Sequence, residues 1–325
     1  MIQDKLVGVV VPAFNEELLI GNVVATMPDF VTHIIIVNDA STDATCDVAR
    51  SADEAGRIKI VTHDVNLGLG QSLIDGYRMA ESMGCDVVAV MAGDAQMSPG
   101  DLESVINPIL ENRADYVKGN RLLRPEVVDR MPRYRLFGNA LLTFLSKFAH
   151  GYWHSMDPQC GYTAISGHAL SAIPLGKMVR GYGYNADLLN MLNVANLRVA
   201  EVEVEPVYGA ETSYIKLWRY VPLISVLLVR LFARRILRKY VVTDFHPLAL
   251  MYGFTIFISV LILPPLTIRL LFLYASVGVI PTTTLLLLSF SSMFAFMSLF
   301  FAMWLDMEDN RRLWVESNPI RSYEP

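Results

Sequence analysis

The sequence predicts an α/β domain on a mostly parallel sheet, followed by a basic amphipathic interface helix and a two-helix transmembrane hairpin. Three observations predict it. Short Val- and Ile-rich runs alternate with helix-patterned stretches over residues 1–205. The segment Thr212–Thr243 then holds seven basic residues and no acid. Finally, Phe245–Leu305 spans 61 residues with a single formal charge, Arg269.

The elements follow in order. Leu6–Val11 is a short apolar run stopped by Pro12, the pattern of a buried parallel strand. Glu16–Thr26 has helical spacing. His33–Val37 is a second strand, and Asp39–Asp43 opens the next helix with good capping residues. Ile58–Thr62 is a third strand, and the turn Asn66-Leu-Gly-Leu-Gly70 leads into a helix over Gln71–Met83. Val87–Met91 is a fourth strand, ending at Gly93-Asp94. Leu136–Ala149 is an amphipathic helix, and the alternation in Leu197–Val204 is a strand. Parallel sheets bind ligands at the carboxyl ends of their strands, and three such ends carry polar turns here: Asn15-Glu16, Asn38-Asp39 and Asp94-Ala-Gln96.

Overall charge content is 18%, below the quarter or so usual in soluble chains. The shortage sits in the apolar region, which has room for two crossings of about 20 residues each. That excludes a purely soluble protein, a disordered one and a large multi-span transporter. Spans are expected over Leu248–Leu271, broken near its far end by Pro264-Pro265, and over Thr282–Leu305. Arg269 is expected to snorkel to the far interface. Basic residues before the first span and Arg311-Arg312 after the second place both ends in the cytosol by the positive-inside rule. On a helical wheel Arg230, Arg234, Arg235, Arg238 and Lys239 share one half, for lipid headgroups. Val229, Phe232, Ala233, Ile236 and Leu237 share the other. The expected divisions are 1–212 for the α/β domain, 213–243 for the juxtamembrane helices, 244–306 for the hairpin and 307–325 for a cytosolic tail. Pro12 ends the first apolar run too early for a signal peptide. Cys46, Cys85 and Cys160 are odd in number, with no CxxC, and read as inert thiols.

The strand-end groups suggest a chemistry. Asp39 suits a nucleobase or ribose, or a helix cap. Asp94 and Gln96 can face one hard divalent cation, which in turn holds a diphosphate. Arg121, Arg135 and Lys216 suit phosphate. Together they suggest a nucleotide-linked donor and a phosphate-bearing lipid. Asn66-x-Gly-x-Gly lacks the rest of a phosphate loop and reads as a tight turn. His150 and His154 have metal-pair spacing but no third ligand nearby, and read as packing. Asp187 in Gly183-Tyr-Asn-Ala-Asp187 is a helix cap or a base.

Six runs in order resemble the family 2 glycosyltransferases of the GT-A fold, in the polyprenyl-phosphate branch that includes dolichol-phosphate mannose synthase. They are Val10-Val-Pro-Ala-Phe-Asn-Glu16, Ile36-Val-Asn-Asp-Ala-Ser-Thr-Asp43, Asn66-Leu-Gly-Leu-Gly70, Gly93-Asp-Ala-Gln96 with Pro99, Lys118-Gly-Asn-Arg121 and Asp157-Pro-Gln-Cys-Gly-Tyr162. The resemblance implies an inverting, cytosol-facing transferase at a cell membrane or ER-type membrane. Its donor would be a UDP- or GDP-linked sugar and its acceptor a polyprenyl phosphate, dolichyl or undecaprenyl. It implies no nucleic-acid partner, and by analogy a homo-oligomer. Pro12, Phe14, Glu16, Asp39, Gly93 and Asp94 would bind the nucleotide. Asp94 and Gln96 would hold Mg²⁺ or Mn²⁺ on the diphosphate. Arg121, Arg135 and Lys216 would hold the acceptor phosphate, and Asp187 would be a fallback base for a hydroxyl acceptor. Two departures stand out. Asn38-Asp39 replaces a usual pair of acids, and Ala92-Gly-Asp94-Ala-Gln96 replaces the usual Asp-x-Asp-x-Gln, which thins the metal shell. Transfer to a lipid or glycan hydroxyl is a second reading, although the QxxRW of processive synthases is absent. A non-catalytic nucleotide-sugar-binding scaffold is a third, kept open by Ala92.

Overall fold

Among the described residues, eight strands form one sheet in the order β3-β2-β1-β4-β6-β5-β7-β8. The computed structural model describes residues 2, 4–53, 55–122, 133–157, 159–181, 183–205 and 217–316. The strands are β1 (Val7–Ala13), β2 (His33–Asn38), β3 (Ile58–Thr62), β4 (Val87–Val90), β5 (Tyr116–Asn120), β6 (Thr163–Ser166), β7 (Val199–Glu203) and β8 (Trp314–Val315). Among them only β6 runs against the rest, paired antiparallel with both β4 and β5. The carboxyl ends of β1, β2, β4 and β5 therefore open on one edge of the sheet.

Alternate residues of each strand feed two cores. Val7, Val9, Val11, Ile34 and Ile36 pack with helices α1 (Ile20–Ala25) and α4 (Leu102–Leu110). Val10, Ile35, Val37, Val88 and Val90 pack with α3 (Leu69–Ser82) and α7 (Tyr184–Val194). Helices α2 (Thr45–Ser51), α5 (Arg133–His150) and α6 (Gly167–Ala172) complete the cover. Two helices start later than the sequence pattern suggests. Residues Glu16–Leu19 form a turn, with Glu16 C=O accepting from Leu19 and Ile20, before α1 begins. Asp43 accepts from Thr45 N–H and so precedes α2 rather than opening it.

The described chain divides into two units, residues 1–232 with 312–325, and residues 233–311. Of the expected 307–325 tail, 307–311 continue the last helix in the second unit, and 312–316 belong to the first. Trp314 and Val315 add β8 beside Val199 and Ala200, Leu313 is buried, and Leu313 C=O accepts the Val199 N–H at 2.8 Å.

Among the described residues, α9 (Pro247–Val277) and α10 (Thr282–Arg311), both in the second unit, are the two helices long and apolar enough to cross a membrane. The sequence boundary at 306 falls inside α10. Pro264 and Pro265 do not break α9. A π-helical turn over Ile258–Ile262 precedes them, and they take first-turn positions of the segment that follows, where their missing N–H groups cost little. Ala295, Ser298 and Ala302 form a stripe of small, buried residues on α10, and Ser298 Oγ donates to Met251 C=O at 3.0 Å.

The basic helix corrects the sequence expectation. Helix α8 (Leu217–Arg235) continues into a π-helical stretch, Ile236–Thr243. Arg230 and Arg238 are exposed, but Arg235 and Lys239 are buried rather than turned toward headgroups. Arg235 makes a bidentate pair with Asp306, both contacts at 2.7 Å. Lys239 Nζ donates to Asn310 Oδ1 at 2.7 Å, and Tyr240 OH donates to Asp309 Oδ2 at 2.8 Å. The acids that draw them inward lie on α10, far along the chain. Truncating one member of a buried pair leaves the other charge uncompensated, at about 3–5 kcal/mol, whereas replacing both by apolar groups is often neutral. Asp306→Ala should therefore lower the melting temperature of the detergent-solubilised protein sharply. The Arg235→Met/Asp306→Leu double variant should restore it.

Candidate functional site

The carboxyl edge of the sheet gathers most of the expected nucleotide-site residues through backbone hydrogen bonds to the end of β1. Asp39 N–H donates to Ala13 C=O at 2.9 Å, and Gly93 N–H donates to Pro12 C=O at 3.3 Å. A Cβ on Gly93 would lie 3.2 Å from that same oxygen and 3.4 Å from Glu16 Cγ, so the close approach favours glycine. Phe14 stands 47% exposed just beyond β1, and Glu16 is half-buried with its N–H on Thr45 Oγ1. Asn15, Ala40 and Ala95 all take left-handed backbone angles, with φ of 57°, 63° and 55°. That conformation is costly for non-glycine residues, and three of them fall at three neighbouring strand ends.

Asp39 proves to be heavily engaged. Its Oδ1 accepts from His63 Nδ1 and Leu67 N–H, and its Oδ2 from Gly68 N–H, each at 2.8 Å. Burial alone would raise its pKa; these donors bring it below the ordinary value instead. Asp39 is thus the anchor of the Asn66–Gly70 turn. Both glycines of that turn have physical reasons. Gly68 sits at φ 88°, and a Cβ on Gly70 would lie 2.3 Å from Val179 C=O. Gly70 N–H donates to Arg180 C=O at 2.9 Å from the other side.

That other side is held by Asp187. Its carboxylate is fully buried, and its Oδ2 accepts the Val179 N–H at 2.7 Å. Asp187, the expected helix cap or base, sits in the first turn of α7 and orders the 178–180 loop from within. Asp39 and Asp187 therefore flank one turn as paired structural acceptors.

Asp94, partly buried after β4, accepts the Gln96 N–H at 3.1 Å, and burial raises its pKa. Among the described residues no group of three His, Cys, Asp or Glu side chains forms a metal-holding cluster. The donor set at this strand end is one carboxylate with a neighbouring amide.

At the end of β5 lies a charged cluster that the sequence only hinted at. Arg121 gives Nε and Nη2 to Asp157, at 2.9 and 3.2 Å, so the fork expected for phosphate already clasps a carboxylate. Burial of Asp157 would raise its pKa, but Arg121 holds it below the ordinary value. Lys118 is wholly buried, donates to Cys160 C=O, and is pushed down by burial. Glu201, on the polar side of the β7 alternation, is buried rather than solvated. It accepts from Asn120 Nδ2 at 2.7 Å and from Ser155 Oγ, and burial raises its pKa. Arg135 lies in α5 but its side chain is outside the described residues, as is all of Lys216. His150 is buried and accepts the Tyr152 N–H, in line with packing. Cys46, Cys85 and Cys160 form no disulfide.

Comparison with known proteins bears on this edge. Residues 8–173 match the model of "Glycosyl transferase family 2". The chain belongs to glycosyl transferase family 2. This family 2 chain is 29% identical over 219 residues to the UDP-N-acetylglucosamine–dolichyl-phosphate N-acetylglucosaminyltransferase of Methanococcus voltae, covering 63% of the chain and 87% of that protein. It is 25% identical over 174 residues to the dolichol-phosphate mannosyltransferase of Pyrococcus furiosus, covering 52% of the chain and 48% of that protein. The glucosyl-3-phosphoglycerate synthase of Mycobacterium tuberculosis has the same fold, with a TM-score of 0.54 at 20% identity over 71% of the chain and 81% of the synthase. The α/β unit is a GT-A fold, as the motifs implied.

Two outcomes are expected from this geometry. Gly70→Ala forces a methyl group into the 179–180 backbone and should cost roughly 1–3 kcal/mol in denaturant titrations. Asp157→Asn should lose the Arg121 pair. A depressed carboxylate stabilises the fold above its unfolded pKa of about 4 and stops doing so as pH falls through the lower native value. The wild-type advantage over Asp157→Asn should accordingly be full at neutral pH and vanish in strong acid, read by melting temperature against pH.

Proposed function

We propose that this family 2 chain is a membrane-anchored, inverting glycosyltransferase that moves a sugar from a nucleotide diphosphate sugar to a polyprenyl phosphate. One observation carries the reading: a GT-A edge holding Asp39, Gly93 and Asp94 belongs to a chain that also has two membrane-length apolar helices. The relatives named above act on dolichyl or dolichol phosphate, which gives such helices a reason.

The strand-end residues fit a divalent cation of the Mg²⁺ or Mn²⁺ kind. Asp94 is a carboxylate desolvated by its surroundings, and Gln96 adds an amide two residues on. Those two would hold the ion, with diphosphate oxygens and water completing its shell, and the ion would neutralise the leaving diphosphate. The protein's own groups do the rest. The β1, β2 and β4 ends receive the nucleotide. Arg121, with Arg135 and Lys216, receives the acceptor phosphate, Asp157 orienting the Arg121 fork. A phosphate acceptor is already ionised near neutral pH, so its oxygen attacks the anomeric carbon in line without a strong base. The burial of Asp187 agrees with that and weighs against a hydroxyl acceptor.

In this reading the α/β domain and both ends of the apolar pair face the cytosol. The return of Trp314 and Val315 to the sheet beside β7 supports it, since the chain before and after the pair belongs to one folded unit.

The test supplies the full-length protein in nanodiscs with polyprenyl phosphate, Mn²⁺ and a panel of UDP- and GDP-linked sugars. One donor should give a lipid-linked product, and Asp94→Ala should reduce its rate by about 100-fold. Absence of product with every donor would overturn the function. Full activity in Asp94→Ala would overturn the metal assignment.

A further inference from the structure

We infer that His63 is a positioning residue for the nucleotide end of this site, acting through Asp39. The inference rests on the proposed reading of the β1–β2–β4 edge as the donor site. His63 follows β3, and its own N–H closes the last rung of the β2–β3 pairing by donating to Asn38 C=O at 2.9 Å. The main chain is thereby fixed directly beside Asp39. The imidazole is 7% exposed and lies between two carboxylates. Its Nδ1 is 2.8 Å from Asp39 Oδ1, and its Nε2 is 3.2 Å from Asp75 Oδ2 on α3.

The direction of the first contact follows from chemistry. Asp39 is held ionised by its donors and can only accept, so Nδ1 carries the proton. Asp75 is itself pinned, by Gln71 Nε2 at 2.7 Å and by Arg78 Nη1 at 3.4 Å. The ring's hydrogen bond thus joins the ends of β2 and β3, while its Nε2, which makes no hydrogen bond, lies beside the second turn of α3. Asp39 Oδ1 is shared between His63 and Leu67 N–H, while Oδ2 takes Gly68 N–H. The imidazole therefore sets the plane of the carboxylate on which the Asn66–Gly70 turn is hung. A donor nucleotide reaching this edge meets a turn already ordered, and pays less to order it on binding.

Asparagine and glutamine separate this role from general packing. The Asn Nδ2 occupies roughly the place of the imidazole Nδ1 and can still donate to Asp39. The Gln amide extends one carbon farther, toward Asp75. The full-length protein is compared as wild type, His63→Leu, His63→Gln and His63→Asn. UDP and GDP affinities are measured by calorimetry, and donor KM and kcat are measured at saturating acceptor. For whichever nucleotide the wild type binds, His63→Leu and His63→Gln should weaken affinity and raise donor KM about tenfold, the loss expected for one hydrogen bond to a charged group. His63→Asn should recover to near the wild-type value. kcat and acceptor KM should change little in all three.

Unchanged nucleotide affinity in His63→Leu would overturn the inference while leaving the proposed function standing. So would an Asn variant as impaired as the Leu variant despite a wild-type melting temperature. A wild type that binds neither UDP nor GDP would overturn both. Nucleotide binding with the expected ranking of variants, but no lipid-linked product, would uphold the role of His63 and count against the polyprenyl phosphate acceptor alone.

Discussion

Three N–H groups converge on the carboxylate of Asp39, and the architecture of the site depends on that convergence. An aspartate at the end of a buried strand is costly unless its charge is met. Here it is met by a histidine from the next strand and by two successive backbone amides from the turn beyond. The same contacts that keep the acid ionised fix the turn, and the turn fixes the start of α3. From the other side, Asp187 holds Val179 and the adjacent Arg180 carbonyl holds Gly70, so the turn is clamped between two buried acids. The polar groups of this edge are thus engaged with one another.

The same economy recurs in the second unit. Arg235 and Lys239 were the obvious candidates for lipid headgroups, yet they face Asp306 and Asn310. A charge at the end of an apolar helix needs a partner more urgently than a charge in an interface that water already reaches. Arg230 and Arg238 stay exposed, two of the five basic residues that a helical wheel places on one face.

Much of the fold was legible because its signals are local. β-branched runs ended by Pro, Gly or Asp located β1 to β4 to within about two residues, and an absence of charge located the apolar helices. The roles of individual polar residues were less legible because their partners are distant in sequence. Asp39 meets Leu67 and Gly68 across 28 and 29 positions, and Arg235 meets Asp306 across 71. A carboxylate at a strand end looks the same whether it faces a ligand or a backbone amide. His63 carried no signal beyond its place after β3 and three residues before Asn66. Glu201 stands in an alternating strand, and alternation does not say that a neighbouring loop will cover the polar side.

The two-residue strand β8 gives the chain an unusual order of assembly. The apolar pair is an excursion made from within the enzyme domain, since residues on both sides of it share one sheet. Synthesis runs from the amino end, so Leu313 to Val315 are made after both apolar helices. Until they arrive, β7 has an open edge and the Val199 amide lacks its carbonyl partner. The domain is therefore completed last at the edge beside β7, by a segment that is made only after the two long apolar helices. A chain that stops short of residue 312 would carry its apolar helices intact and its sheet unfinished.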